Sequence, residues 1–95
     1  MKEQVYINYL SGKIQGKPII DYVSRCRRVE KGLNIDLDIE FSENGGVRVM
    51  QILEQETHLL RDKLHFSPSA NIKTGLANLR NAVKKYFDAC RQIHR

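Results

Sequence analysis

Lys73, Arg80, Lys84, Lys85, Arg91 and Arg95 stand against one carboxylate, Asp88, in residues 67–95, whereas residues 1–66 carry ten basic and ten acidic side chains. The whole net charge of +5 therefore belongs to the last third of the chain. A local surplus of cations can neutralise the phosphates of a polyanion or can simply keep a helix surface solvated, and charge alone leaves both readings open. Spacing adds more. At about 100° per residue, Lys73, Arg80, Lys84, Arg91 and Arg95 project within roughly 60° of one another, a basic row about 30 Å long on a helix. Phosphates recur along each DNA strand, so a rigid row of cations can follow a backbone or a groove edge. Cations near a helix C-terminus also offset the macrodipole, which accounts for Arg91 and Arg95 but not for Lys73 or Arg80.

A second group, Arg25, Arg27, Arg28 and Lys31, lies in the first half. Arginine forks suit phosphates and guanine edges. Arg28 and Lys31 point most directly away from the apolar stripe of their helix, which makes Arg25, Arg28 and Lys31 second-choice contacts. The alternative is internal neutralisation: Asp21 is placed to pair with Arg25 at i, i+4, and Glu30 lies close enough to balance the others.

Other chemistry has little foothold. His58, His65 and His94 show no metal-motif spacing. Glu54, His58 and Asp62 share a helical face at i, i+4, i+8, a pattern that is more often solvated surface than a cation site. Cys26 and Cys90 do not make a disulfide framework and fall at apolar helix positions, where a thiol packs as a small hydrophobe. Gly45-Gly46 reads as a turn or helix start rather than a ligand cradle. No nucleophile elbow, phosphate loop or paired-carboxylate setting stands out, so the expectation is a non-enzymatic protein with no catalytic residue, metal, cofactor or small-molecule substrate.

These residues need elements to hold them. Ninety-five residues suit one domain, 1–95, and 41% hydrophobic with 28% charged residues is the balance of a folded globule. No apolar run approaches the roughly 18–20 residues of a membrane span, and residues 1–15 lack the apolar centre of a signal peptide, so a cytoplasmic location without membrane contact is expected. Glu3 to Leu10 reads as a short helix with Val5, Ile7, Tyr9 and Leu10 available for burial. Ser11-Gly12 and Gly16-Lys17-Pro18 bracket a loop. Pro18 suits the first turn of a second helix, whose apolar residues fall at 19, 22, 23, 26, 29 and 33, with Gly32 as its stop.

Residues 33–52 admit two readings. Leu33, Ile35, Leu37, Ile39 and Phe41 alternate with polar residues, and Glu43-Asn44-Gly45-Gly46 and Val47-Arg48-Val49 follow, the pattern of a β-hairpin. The other reading places a loop or turn at 34–42 and starts a helix near Asn44, with Val49, Leu53, Thr57, Leu60 and Leu64 on one face. An isolated two-stranded hairpin is marginal, and no third strand is evident. Ser67-Pro68-Ser69 then offers a helix restart. Ile72, Leu76, Leu79, Val83, Tyr86, Cys90 and Ile93, spaced 4, 3, 4, 3, 4, 3, predict one long helix that must bury a continuous seam.

Two stretches, Ile20–Asp38 (IDYVSRCRRVEKGLNIDLD) and Leu76–Phe87 (LANLRNAVKKYF), resemble the SAM-like, core-binding N-terminal domain of tyrosine recombinases (phage integrases) and small stand-alone relatives in mobile elements. The likeness spans residues 18–90. It implies a compact four-helix domain lying against the DNA backbone and major groove, and a helix end plus turn at 33–41. The catalytic domain of those enzymes is absent from this chain, and Tyr86 sits on the apolar seam, so strand cleavage is not implied.

The combined expectation is an all-α, four-helix fold of the integrase core-binding type, with α+β containing a hairpin at 33–52 as the alternative. Its expected partner is double-stranded DNA, met through Lys73, Arg80, Lys84 and Arg91, with Arg25, Arg28 and Lys31 behind them. The rival expectation is a protein-interaction or homodimerising adaptor without DNA contact.

Overall fold

A computed structural model describes residues 1–14, 16–55, 58–64, 66 and 71–93; the side chains of Lys17, His58, Leu59 and Ile93 are outside the description. The described residues form six helices and no strand: α1 (Glu3–Ser11), α2 (Lys17–Leu33), α3 (Leu37–Asn44), α4 (Val47–Leu53), α5 (His58–Lys63) and α6 (Ile72–Ile93). The all-α class is as expected. The count of four is corrected to six, because the middle of the chain breaks into short helices.

Local chemistry explains each break. Pro18 lies in the first turn of α2, where its missing N–H costs no hydrogen bond. The helix runs through Gly32 and stops at Asn34, which adopts φ 54° in the left-handed region. Gly32 is therefore not the stop. Its role is contact, since a Cβ there would meet the Lys63 carbonyl oxygen at 2.5 Å where α5 ends against α2.

Two residues beyond Asn34, the Asp36 side chain accepts from the backbone N–H groups of Asp38 (2.8 Å) and Ile39 (3.4 Å) and so opens α3. This cap converts the alternating stretch into a helix. Leu37 and Glu40 are buried and Phe41 half-buried, the i, i+3, i+4 set of one helical face, while Ile39 stays 55% exposed. The hairpin alternative and the turn implied at 33–41 are both corrected by it. Gly45 and Gly46, both at positive φ, close α3 and let α4 begin at Val47. The single helix expected from Asn44 through Leu64 is replaced by α4 and α5, and Thr57, one residue of its expected face, lies outside the described residues. Ser67, Pro68 and Ser69 also lie outside them; α6 starts at Ile72 with the Asn71 side chain accepting the Thr74 N–H at 3.2 Å.

The long seam sets the architecture. Leu76, Leu79, Val83, Tyr86 and Cys90 of α6 are buried, joined by Ala82, Phe87 and Ala89, so α6 hides nearly half of its cylinder. Val23, Cys26 and Val29 from α2 pack on one flank and Val49 and Leu53 from α4 on the other, with Tyr6 and Leu10 of α1 in the same core. Tyr6 and Tyr86 meet edge to face with centroids 5.2 Å apart, and the Tyr6 hydroxyl donates to the Ala82 carbonyl at 2.6 Å. Phe87 stacks on Phe41 at 5.8 Å, tying α3 to α6. No helix among the described residues is long and apolar enough to cross a membrane.

Candidate nucleic-acid interface

The strip of α6 left uncovered faces solvent between α2 and α4. Lys73, Thr74, Ala77, Asn78, Asn81, Lys84, Arg91 and Gln92 are exposed along it, and Arg80, Lys85 and Asp88 are half-buried at its edges. By helical angle Lys73, Lys84 and Arg91 form the edge toward α4 and Lys85 the edge toward α2, about 100° away. The strip exists because the seam residues turn inward on the opposite side; burial of one face aims the other.

Each cation of the row has a distinct state. Lys73 and Lys84 are exposed, and among the described residues no carboxylate lies within ion-pair distance of either. Arg80 is drawn inward: its Nη1 donates to the Leu53 carbonyl at 2.8 Å, closing the C-terminal end of α4. It is a bracing residue between α4 and α6, not a freely presented cation. Arg91 pairs with Asp88 at 2.8 Å and lies over the Phe41 ring at 5.8 Å, so its charge is partly spent within the chain. Arg95 is outside the described residues.

The α2 group divides in the same way. Arg25 does not pair with Asp21; its guanidinium lies over the Tyr22 ring at 5.6 Å. The Lys85 ammonium sits 5.7 Å from that same ring, and the Asn81 amide donates to the Tyr22 hydroxyl at 3.5 Å. Arg25 is thereby brought beside α6. Arg28 is exposed, but its Nε donates to the Leu64 carbonyl at 2.6 Å and its guanidinium covers the Phe66 ring at 4.6 Å, so it bridges α2 to the residues after α5. Lys31 is exposed about 140° around α2 from the buried Cys26, away from the α6 strip. Arg27 pairs with Glu3, which lowers the Glu3 carboxyl pKa. Glu30, expected to balance the arginines, instead accepts the Leu37 N–H at 2.9 Å and pairs with the Met1 ammonium at 3.0 Å.

Sequence reasoning did not place Lys85, Tyr22 and Asn81 with the basic row. Lys85 falls off the 60° row, and its partnership with Tyr22 depends on how α2 crosses α6. The only early signal was Lys85 adjoining Lys84.

The remaining reactive groups are quiet. Tyr86 is fully buried, its hydroxyl donating to Asp38 and accepting the Lys2 N–H at 2.9 Å; burial foremost, with the Asp38 hydrogen bond, raises its pKa. Cys26 and Cys90 are free and buried, and burial pushes the Cys26 thiol up to about 12. Among the described residues no cluster could hold a metal ion, and the His58 side chain, His65 and His94 lie outside them. No family model, curated protein or solved structure matches the chain.

Proposed function

We propose that this chain is a non-catalytic module that binds double-stranded DNA, mainly through its phosphates, with the solvent strip of α6 and the adjoining edge of α2. The observation that carries the reading is that Lys73, Lys84, Lys85 and Arg25 border one strip with no carboxylate partner among the described residues. A merely solvated helix usually interleaves acids with its bases; on this strip only Asp88 does so, and it engages Arg91. The resemblance to recombinase core-binding domains points the same way, and Arg80 and Arg28 support the site by bracing helices rather than by touching the duplex.

A salt titration of duplex binding tests it. If Lys73, Lys84, Lys85 and Arg25 each displace one counterion, log K falls against log salt with a slope of about −3.5. Lys73→Glu with Lys84→Glu flattens that slope by about two and weakens binding most at low salt. Both side chains are exposed, so thermal unfolding should remain that of the wild type. Equal, salt-insensitive binding by the two proteins would sink the reading.

A second copy of this chain as partner is the alternative. It is favoured by the groove between α4 and α6, where Val47, 55% exposed, joins Met50 and Phe87. Light scattering separates the two, since a strict monomer at high concentration removes that option.

A further inference from the structure

The strip of α6 is not uniformly basic, and its centre differs in kind from its edges. Ala77 and Asn81 lie between the edges and Thr74 beside the Lys85 edge, all exposed, with projected angles of about 40°, 80° and 100° from Lys73. Cations flank them on both sides: Lys73 and Lys84 toward α4, Lys85 with Arg25 toward α2. A helix with its side chains is about 10–12 Å across, close to the roughly 12 Å width of the major groove of B-DNA. The two cationic edges, about 100° apart on that cylinder, flank its outward face, so that a helix lying in the groove can meet phosphates on either side and leave the side chains between them over the base edges. From Thr74 to Asn81 the helix rises about 10 Å, the length of about three base pairs.

The central chemistry is selective. An exposed asparagine amide offers one donor and one acceptor side by side, the complement of the adenine N6–H and N7 edge. Ala77 and the Thr74 methyl offer apolar contact of the kind that thymine's methyl group meets. Nothing in this centre matches guanine as an arginine fork would, because Arg80 is turned to the Leu53 carbonyl. The Asn81 amide is also held in place, donating to the Tyr22 hydroxyl at 3.5 Å, and Tyr22 is itself flanked by Arg25 and Lys85. A tethered amide loses less freedom on binding than a loose one.

We infer that Asn81, assisted by Ala77 and Thr74, reads adenine–thymine pairs from the major groove, so that binding prefers A·T-rich duplex. The inference rests on the duplex-binding reading above and adds sequence selection to it.

Competition by three synthetic duplexes, poly(dA·dT), poly(dG·dC) and poly(dI·dC), decides it. The I·C pair lacks the guanine amino group, which lies in the minor groove, so it presents a minor groove like that of A·T and the full major groove of G·C. Readout in the major groove makes poly(dA·dT) the strongest competitor, by roughly tenfold or more for one good bidentate contact, with poly(dI·dC) as weak as poly(dG·dC). Asn81→Ala levels the three by lowering the affinity for poly(dA·dT) to that for the other two, while the salt slope, set by the phosphate contacts, stays near that of the wild type. Asn81→Gln, which keeps the amide on a longer arm, retains part of the preference. Three equal competitors against the wild type, poly(dI·dC) ranking with poly(dA·dT), or a preference unchanged in Asn81→Ala each overturn the inference while duplex binding stands. Absence of any duplex binding at low salt overturns both.

Discussion

Gly46→Ala tests the packing that sets α4 beside the basic strip. Gly46 is buried at φ 83°, and a Cβ placed on it would lie 2.2 Å from Phe87 Cε2 and 2.5 Å from Cδ2. Two costs follow. Left-handed backbone costs a non-glycine residue about 1–2 kcal/mol, offset by roughly 0.4–1 kcal/mol from the stiffer unfolded chain. Overpacking against the ring adds about 1–3 kcal/mol, since Phe87 is held between Phe41 and the core and has little room to withdraw. The expected total is about 2–4 kcal/mol. Gly45→Ala is the internal reference: its φ is 69°, but a Cβ there meets nothing within 4 Å, so only the backbone cost of about 1 kcal/mol applies. Urea unfolding monitored by circular dichroism gives both values, and a shared m-value certifies the comparison. Phe87→Leu made alone and with Gly46→Ala completes a cycle, in which the smaller side chain should relieve about 1 kcal/mol or more of the alanine cost. Equal costs for the two glycine variants, or a cycle with no coupling, would refute the assignment of Gly46 to close approach.

Two further outcomes concern buried polar chemistry. Tyr86→Phe keeps the ring but removes the hydroxyl shared by Asp38 and the Lys2 N–H, and should lower stability by about 1–3 kcal/mol in the same urea assay; no loss would mean that the bridge contributes nothing. Cys26 supplies a pH signature. Its pKa is raised from 9.0 to about 12 by burial, so the folded state keeps a proton that the unfolded state releases; the contribution is intact below pH 9 and is lost as pH climbs from there toward 12. Thermal melts across that window should fall more steeply for the wild type than for Cys26→Ala, and native Cys26 should resist a thiol reagent at pH 8. Rapid labelling without unfolding would contradict its burial.

The two long helices and the location of the net charge were legible in the chain itself. In α2 and α6 the apolar residues recur at the 3.6-residue period over many turns, and such a stripe has one low-energy way to be buried. The exposed row of Lys73 and Lys84 follows from that period by geometry alone. Residues 33–53 were not legible, because a short alternating run satisfies a strand pattern and a one-turn helical face equally well. Tertiary contact decided between them: the Asp36 cap and the left-handed glycines allow α3 and α4, and burial of Leu37, Val49 and Leu53 in the common core, with Phe41 stacked on Phe87, makes them the favourable choice.

The states of individual cations also came from tertiary structure. Arg80 and Arg28 look free on a helical wheel, yet each finds a backbone carbonyl from a distant part of the chain, Leu53 and Leu64 respectively. Lys85 and Asn81 are tied to α2 only because its Tyr22 lies alongside them. Periodicity orients a side chain relative to its own axis, whereas its partner depends on how two axes cross, and that crossing is a property of the whole packed core.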